Sequence, residues 1–235
     1  MTNDQGESLK LQRLETPSRR SQITQTLRAA VLSGELESGV IYSAPSLAEQ
    51  FGVSATPVRE AMMELAREGM IEIVRYKGFR ITEPTQQDFA NFLEVRILLE
   101  PPLIGKLTKR GINADQRTAA RHLAEATLEA AQRTDFVAHV ASDIRFHLYL
   151  LSLWGNPEIE EIVRIMRSRS RLLGLRNAEN REFLLQSARE HLQIVELICA
   201  GDPDKARDFV CQHIYKASLV WQNTAADTVT LTEER

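Results

Sequence analysis

Apolar residues recur at intervals of three and four through most of this chain, and one short stretch alternates instead. Ile23, Leu27, Ala30 and Val31 share a helical face that stops near Gly34. A second short helix is expected from about Ser46 to Phe51. A third begins at Ser54 or Thr56, where a capping hydroxyl precedes Pro57, a residue tolerated in a first turn. The period then drops to two. Ile71-Glu-Ile-Val74 and Phe79-Arg-Ile81 predict two strands joined around Lys77-Gly78, and Glu83-Pro84-Thr85 reads as a linker. Helical patterns follow at roughly 86–110, 114–133, 135–154, 158–176, 181–200 and 203–224, separated by Gly111-Ile-Asn113, Thr134-Asp135, Gly155-Asn-Pro157 and Gly201-Asp-Pro203. Residues 1–17 are polar and read as a mobile arm, and 226–235 as a disordered tail. The expected chain is mostly α, with one unit at 18–84 and a bundle of about six helices at 85–225.

Within the first unit, Ala48 is small where two helices must approach closely. Gly52, four residues on, suits the positive φ of a tight interhelical turn, and Val58 packs the second helix back on the first. That is helix-turn-helix spacing, and the hairpin makes it winged. On the third helix Val58, Ala61, Met62 and Leu65 form the buried stripe. Arg59, Met63 and Arg67 flank it on one side, and Glu60, Glu64 and Glu68 on the other. The first turn of such a helix meets base edges, which nominates Ser54, Thr56 and Arg59. The wing carries Arg75, Lys77 and Arg80 with no acid between them, and Arg75, Lys77 and Gly78 are its candidate DNA contacts.

In the second unit, Phe136, Val137, Val140, Ile144, Leu148, Leu150, Leu151 and Trp154 form one broad apolar arc. Asp143 and His147 fall inside it, one turn apart. A carboxylate there needs a partner, because burying it unpaired costs several kcal/mol. His191 lies in the stripe of Leu184, Ala188, Leu192, Val195 and Ile198, and His213 in that of Ala206, Phe209, Val210, Ile214, Ala217, Val220 and Trp221. Both are eleven residues from Asp202 at the reversal, so an antiparallel helix pair sets them side by side. A single inward histidine is an ordinary core residue. Three with a carboxylate, at these spacings, predict a divalent metal centre of Asp143, His147, His191 and His213, with zinc first and nickel, manganese or iron as alternatives. His139, at the edge of the arc, reads as a solvated histidine, and His122 has no assigned role.

The run Leu47-Ala-Glu-x-Phe-Gly-Val-Ser-x-Thr-Pro-Val-Arg-Glu-Ala-Met-x-x-Leu-x-x-Glu-Gly-Met-Ile resembles the winged helix of the GntR family of bacterial transcription regulators. Asp143-x-x-x-His147, Glu190-His191 and His213 are similar to the metal pattern of its FCD effector domains, in the six-helix VanR-like form. The resemblance implies a homodimeric repressor on a palindromic double-stranded DNA operator, its DNA affinity altered by a small carboxylate effector bound beside the metal. Leu93-Glu-Val-Arg96-x-x-Leu-Glu100 resembles the first effector-domain helix, whose arginine reaches the ligand, so Arg96 is the candidate effector contact; a surface or interhelical ion pair is the competing role. Four positions depart from the family. Ala55 and Pro45 stand where members often have arginine, and Pro101-Pro102 interrupt the first bundle helix, where a kink or break at 98–101 is expected.

Composition sharpens this picture in two places. The 235 residues carry 29 basic and 32 acidic side chains, a net charge of −3, and residues 17–84 hold eight of each. The reading half is thus neutral, its positive charge placed (Arg19, Arg20 and Arg28 early, Arg59 on the reading helix, the wing last) rather than abundant, and weak non-specific binding follows. No apolar run approaches the roughly 18 residues of a membrane span. Cys199 and Cys211 show no CxxC spacing, and the N-terminus has no secretory pattern, so a cytoplasmic protein with reduced core thiols is expected. An enzyme with an accessory DNA-binding domain is the competing class. The sequence has no HExxH, P-loop, GxGxxG or Glu-x-x-His, which weighs against it. A purely structural metal in a regulator is the third reading.

Overall fold

The computed structural model describes residues 19–172 and 181–229. The expected arm at 1–17, the last turn expected at 173–176 and the end of the tail at 230–235 lie outside the described residues. Helices α1 (Arg19–Ser33), α2 (Ala44–Phe51) and α3 (Ala55–Arg67) precede the hairpin β2 (Ile71–Val74) and β3 (Gly78–Ile81). A short strand β1 (Ile41–Tyr42) pairs with β3 and gives the sheet order β1-β3-β2. Two residues are too few to show alternation, so β1 left no mark in the sequence. Six helices follow: α4 (Gln86–Arg110), α5 (Ala114–Gln132), α6 (Phe136–Ser152), α7 (Pro157–Leu172), α8 (Arg181–Ala200) and α9 (Pro203–Val229). α9 runs a few residues past the expected boundary at 225, and the side chains of Ala217, Val220 and Trp221 lie outside the described set.

The local chemistry explains the boundaries. Ser43 caps α2 by accepting from the Ser46 amide, which leaves Pro45 in a first turn that needs no donor there. Gly52 ends α2 at φ 62°, the left-handed conformation expected of the interhelical turn. Thr85 with Asp88, and Asn113 with Gln116, close reciprocal capping boxes at the starts of α4 and α5. Val58, Ala61, Met62 and Leu65 are wholly buried, as their spacing requires, and pack with Leu27, Val31, Leu47 and Ile81.

The expected break at Pro101-Pro102 does not occur: α4 is one unbroken helix. Each proline removes one backbone donor, freeing the carbonyls of Ile97 and Leu98. Leu98 is 66% exposed and Pro102 also faces outward, so the second of these lies on the water-facing side. The flanking turns are held from outside. Ile104 and Leu107 pack with Ala206 and Val210 of α9, and Gly105 approaches so closely that a Cβ there would sit 3.2 Å from the Pro203 carbonyl. Tertiary packing thus outweighs the ~3 kcal/mol that a helix-interior proline costs.

The two units share part of one core. Val140 of α6 and Leu172 of α7 are buried with the apolar residues of α1–α3, and Phe136 and Ile144 pack against the same cluster. The N-terminal half of α6 therefore touches the winged unit, and its next turns enter the bundle.

Candidate functional site

Asp143 and His147 project from α6 toward His191 on α8 and His213 on α9, all four buried. One ligand atom from each lies within 4.8 Å of the others. His147 Nε2 and His191 Nε2 are 3.2 Å apart, and His191 Nε2 is 3.4 Å from Asp143 Oδ1. Two donors bound tetrahedrally at about 2.0–2.1 Å lie about 3.3 Å apart. These spacings match one ion better than direct contact between groups; the His147–Asp143 edge is wider, at 3.9 Å. The His213 Nδ1–H donates to Glu190 Oε2 at 2.8 Å, and Lys216 donates to Oε1 at 2.9 Å. That fixes the His213 tautomer and leaves its Nε2 as the lone-pair donor. Phe146 stacks on the His191 ring at 4.5 Å, and His191 Nδ1 is buried without a hydrogen-bond partner. The residues fit a divalent ion with three nitrogen ligands and one oxygen.

Asp143 is shared. Its Oδ2 accepts from Arg171 at 2.6 Å and Arg167 at 3.3 Å, both on α7, while Oδ1 faces the histidines. Arg167 also bridges to Glu100 on α4, and Glu100 accepts from Arg96 at 2.8 Å. Arg96 is therefore held in an ion pair one turn away rather than standing free. Burial alone would raise the carboxyl of Asp143, but Arg171, a hydrogen bond from His191, His147 and Arg167 hold it well below the usual range. Burial likewise opposes ionisation of Glu100, and Arg167 and Arg96 overcome it. Burial, with repulsion from Arg96, lowers Arg167 to about 10, so it stays cationic near neutrality.

Burial favours the neutral form of His147 and His191. His191 is lowered to about 4, and burial followed by Arg167 pushes His147 well below its ordinary value. In the unfolded chain both titrate near ~6.5. Between those limits the unfolded chain binds protons that the native protein does not, so native stability is complete above ~6.5 and falls as the pH drops toward 4. Each histidine contributes up to ~1.4 kcal/mol per pH unit in that window. Urea unfolding of metal-free protein at pH 7 and pH 5 checks this, and an equal midpoint at both would contradict it.

His139 is buried, 1% exposed, with Nδ1 3.4 Å from the Thr127 carbonyl, and is not a solvated edge residue. Its place at the rim of the α6 arc is covered by α5, a contact no helical wheel contains. Arg167 and Arg171 went unread, although the signal that found Asp143 is present for one of them. On α7, Arg167 falls about 40° from the buried Val163, inside that helix's apolar arc. A 360 Å³ cavity lies at the wing, lined by Gly39, Glu72, Arg80, Ile81, Thr82 and Glu83, whereas the Asp143 cluster is closed.

The residues that spacing nominated for DNA contact lie at the surface. Ser54 is the N-cap of α3, and Ser54, Thr56 and Arg59 are exposed. The acidic row turns away from them. Arg20 reaches Glu60 at 4.0 Å and Glu64 at 3.2 Å, and Arg28 reaches Glu68 at 2.6 Å. Arg20 and Arg28, counted from sequence as placed positive charge, are thus spent inside the unit. Arg80 pairs with Glu72, its cross-strand neighbour, so among the described residues the wing's cations without an ion pair are Arg75 and Lys77. Tyr76 stands between them, 91% exposed at φ 62°, with the Arg75 guanidinium 4.8 Å from its ring centre. Sequence reasoning passed over Tyr76 because a single aromatic in a turn carries no period.

No helix among the described residues is long and apolar enough to cross a membrane. Residues 19–81 match the model for bacterial regulatory proteins of the gntR family, and residues 91–216 that of the FCD domain. The chain is 28% identical over 203 residues to a probable D-xylose utilization operon transcriptional repressor of Paenarthrobacter nicotinovorans, covering 83% of this chain and 84% of that protein. It is 30% identical over 172 residues to the Nta operon transcriptional regulator of Aminobacter aminovorans, covering 72% and 79%. Its fold matches that of E. coli McbR/YncC with a TM-score of 0.75 at 20% identity, over 89% of this chain and all of that one. With a winged reading head that matches one model and a helical half that matches the other, the chain belongs to the GntR family, as a DNA-binding transcription regulator with an FCD domain and not as an enzyme.

Proposed function

We propose that this regulator is a repressor that binds a palindromic operator as a homodimer, and that a small carboxylate held at a divalent ion in the Asp143–His147–His191–His213 centre controls it. The observation that carries this reading is the convergence of four buried donors beside Arg96, Arg167 and Arg171. Among the described residues Arg96 and Arg167 hold Glu100, Arg167 and Arg171 hold Asp143, and a dication adds positive charge there. Such a site takes an anion, and Arg96 is its first contact, released from Glu100. The ion, zinc in the first instance, supplies a Lewis-acid pole for one carboxylate oxygen. Units 18–84 and 85–225 divide the work between reading and sensing. The exposed Leu98 on α4 and Ile162 on α7 support a dimer contact on the bundle.

DNA recognition rests on Ser54, Thr56 and Arg59 at base edges, with Arg75, Lys77 and Gly78 of the wing on the backbone or minor groove. Arg59→Ala is expected to weaken operator binding by ~1–3 kcal/mol per half-site, the worth of a bidentate arginine–guanine pair. Mobility shifts with a duplex selected by the wild-type protein measure this. Circular dichroism should be unchanged, since Arg59 is exposed. Wild-type affinity in the variant would remove Arg59 from the reading surface.

A second reading has an observation in its favour. The four donors are closed to solvent, as in a structural site. Melting of zinc-loaded protein with acetate, succinate or citrate separates the two. A rise in melting temperature that Asp143→Ala abolishes supports a sensor, and no rise with any of the three supports a structural ion.

A further inference from the structure

Glu68 ends the reading helix, and it is an acid buried to 1% exposure. Its Oε1 accepts from Arg28 of α1 at 2.6 Å and from Arg164 of α7 at 2.6 Å, and its Oε2 is buried with no hydrogen-bond partner. A carboxylate buried at this point needs a cationic partner, and Arg28 and Arg164 each supply one, from different units of the chain. The next residue, Gly69, lies so near α7 that a Cβ would sit 2.9 Å from Arg169 Nε. The C-terminal end of α3 is therefore clamped to a helix of the other unit.

That same helix reaches the centre. Arg164, Arg167 and Arg171 lie on one stripe of α7, spread over about 10 Å of axis. Arg164 holds Glu68, while Arg167 and Arg171 hold the Asp143 oxygen that faces away from the histidines. A divalent charge on the histidine side of that carboxylate repels both guanidiniums and loosens their hold on it. A helix packed against α4 and α6 moves as a rod, so a change of seat at Arg171 is a change of seat at Arg164. We infer that Arg164 is a positioning residue, which fixes the end of the DNA-reading helix on α7 so that occupancy of the Asp143 centre is transmitted to that helix through the Arg164–Glu68 pair. This inference rests on the metal reading proposed above.

The test is hydrogen exchange at the amides of residues 64–70 in full-length protein, stripped with a chelator and then loaded with zinc alone. In the wild type, zinc is expected to change exchange there by about fivefold or more, the low end of ordinary coupling between sites. Arg164→Met should bind zinc with wild-type stoichiometry and lose most of that change. Arg164→Lys, which keeps the cation, should recover part of it, and Glu68→Gln should repeat the loss from the other side of the pair. A merely structural role would alter exchange equally with and without zinc. A full zinc response in Arg164→Met or Glu68→Gln overturns the inference. Zinc uptake without any change at 64–70 in the wild type overturns it and leaves the metal reading intact, whereas no zinc uptake in the wild type defeats both.

Discussion

Protein carrying His191→Ala is expected to retain almost no zinc after dialysis, against about one ion per chain for the wild type. His191 touches every other member of the centre: Nε2 stands 3.2 Å from His147, 3.4 Å from Asp143, and its ring 5.0 Å from that of His213. Its loss leaves three donors with no fixed central member. Outer-shell changes cost metal sites ~10–100-fold in affinity, and loss of a ligand should exceed that range. Elemental analysis gives the stoichiometry directly. Thermal unfolding gives a second reading, since an ion at about a thousand times its dissociation constant stabilises by ~4 kcal/mol and a protein that cannot bind it gains nothing. His191 is fully buried, so its removal also leaves a hole. Asp143→Asn, nearly isosteric, controls for that. Wild-type stoichiometry in both variants would exclude a metal at this centre.

Arg167→Met should destabilise the metal-free protein by ~3–5 kcal/mol, the cost of removing one partner from a buried ionic group. Arg167 is 1% exposed and bonds Glu100 and Asp143 together. Methionine fills much of its volume and supplies no charge, so Arg96 and Arg171 must each hold one carboxylate unaided. At ~2–4 °C per kcal/mol for a chain of this size, melting falls by roughly 6–20 °C. Adding Glu100→Gln should restore part of the loss, because it removes one of the two buried carboxylates that lose Arg167. A loss below about 1 kcal/mol would show that the arginine cluster is kept for a ligand and not for stability.

The reading head was legible almost residue by residue because its rules are local. The stripe Val58, Ala61, Met62 and Leu65, the left-handed Gly52 and the helix start at Ser54, whose hydroxyl makes no capping bond, each depend on neighbours a few positions away. The four residues of the centre were legible for a related reason. A charged or imidazole side chain inside an apolar arc must be satisfied by something across the bundle, and two equal distances from Asp202 put His191 beside His213. His139 was misread because its cover comes from α5. The unbroken α4 was misread because the cost of proline is local and the packing that outweighs it is not. Arg80, Arg20 and Arg28 kept their charge on paper and lost it to partners that the fold brought near: Glu72 across a strand, and the acidic row across two helices.

What the amino-acid order by itself determined is what periodicity, capping and turn chemistry can specify: a mostly helical chain, a winged head, and four inward-facing side chains that could hold a metal ion. Only the tertiary structure decided who partners whom. It set Arg167 and Arg171 on Asp143, Arg96 on Glu100, Glu190 behind His213, and Arg164 on Glu68. Helical faces follow from a spacing of 3.6 residues, which is written along the chain. The ion pairs join helices tens of residues apart, where sequence separation sets no distance and burial alone makes each pairing obligatory.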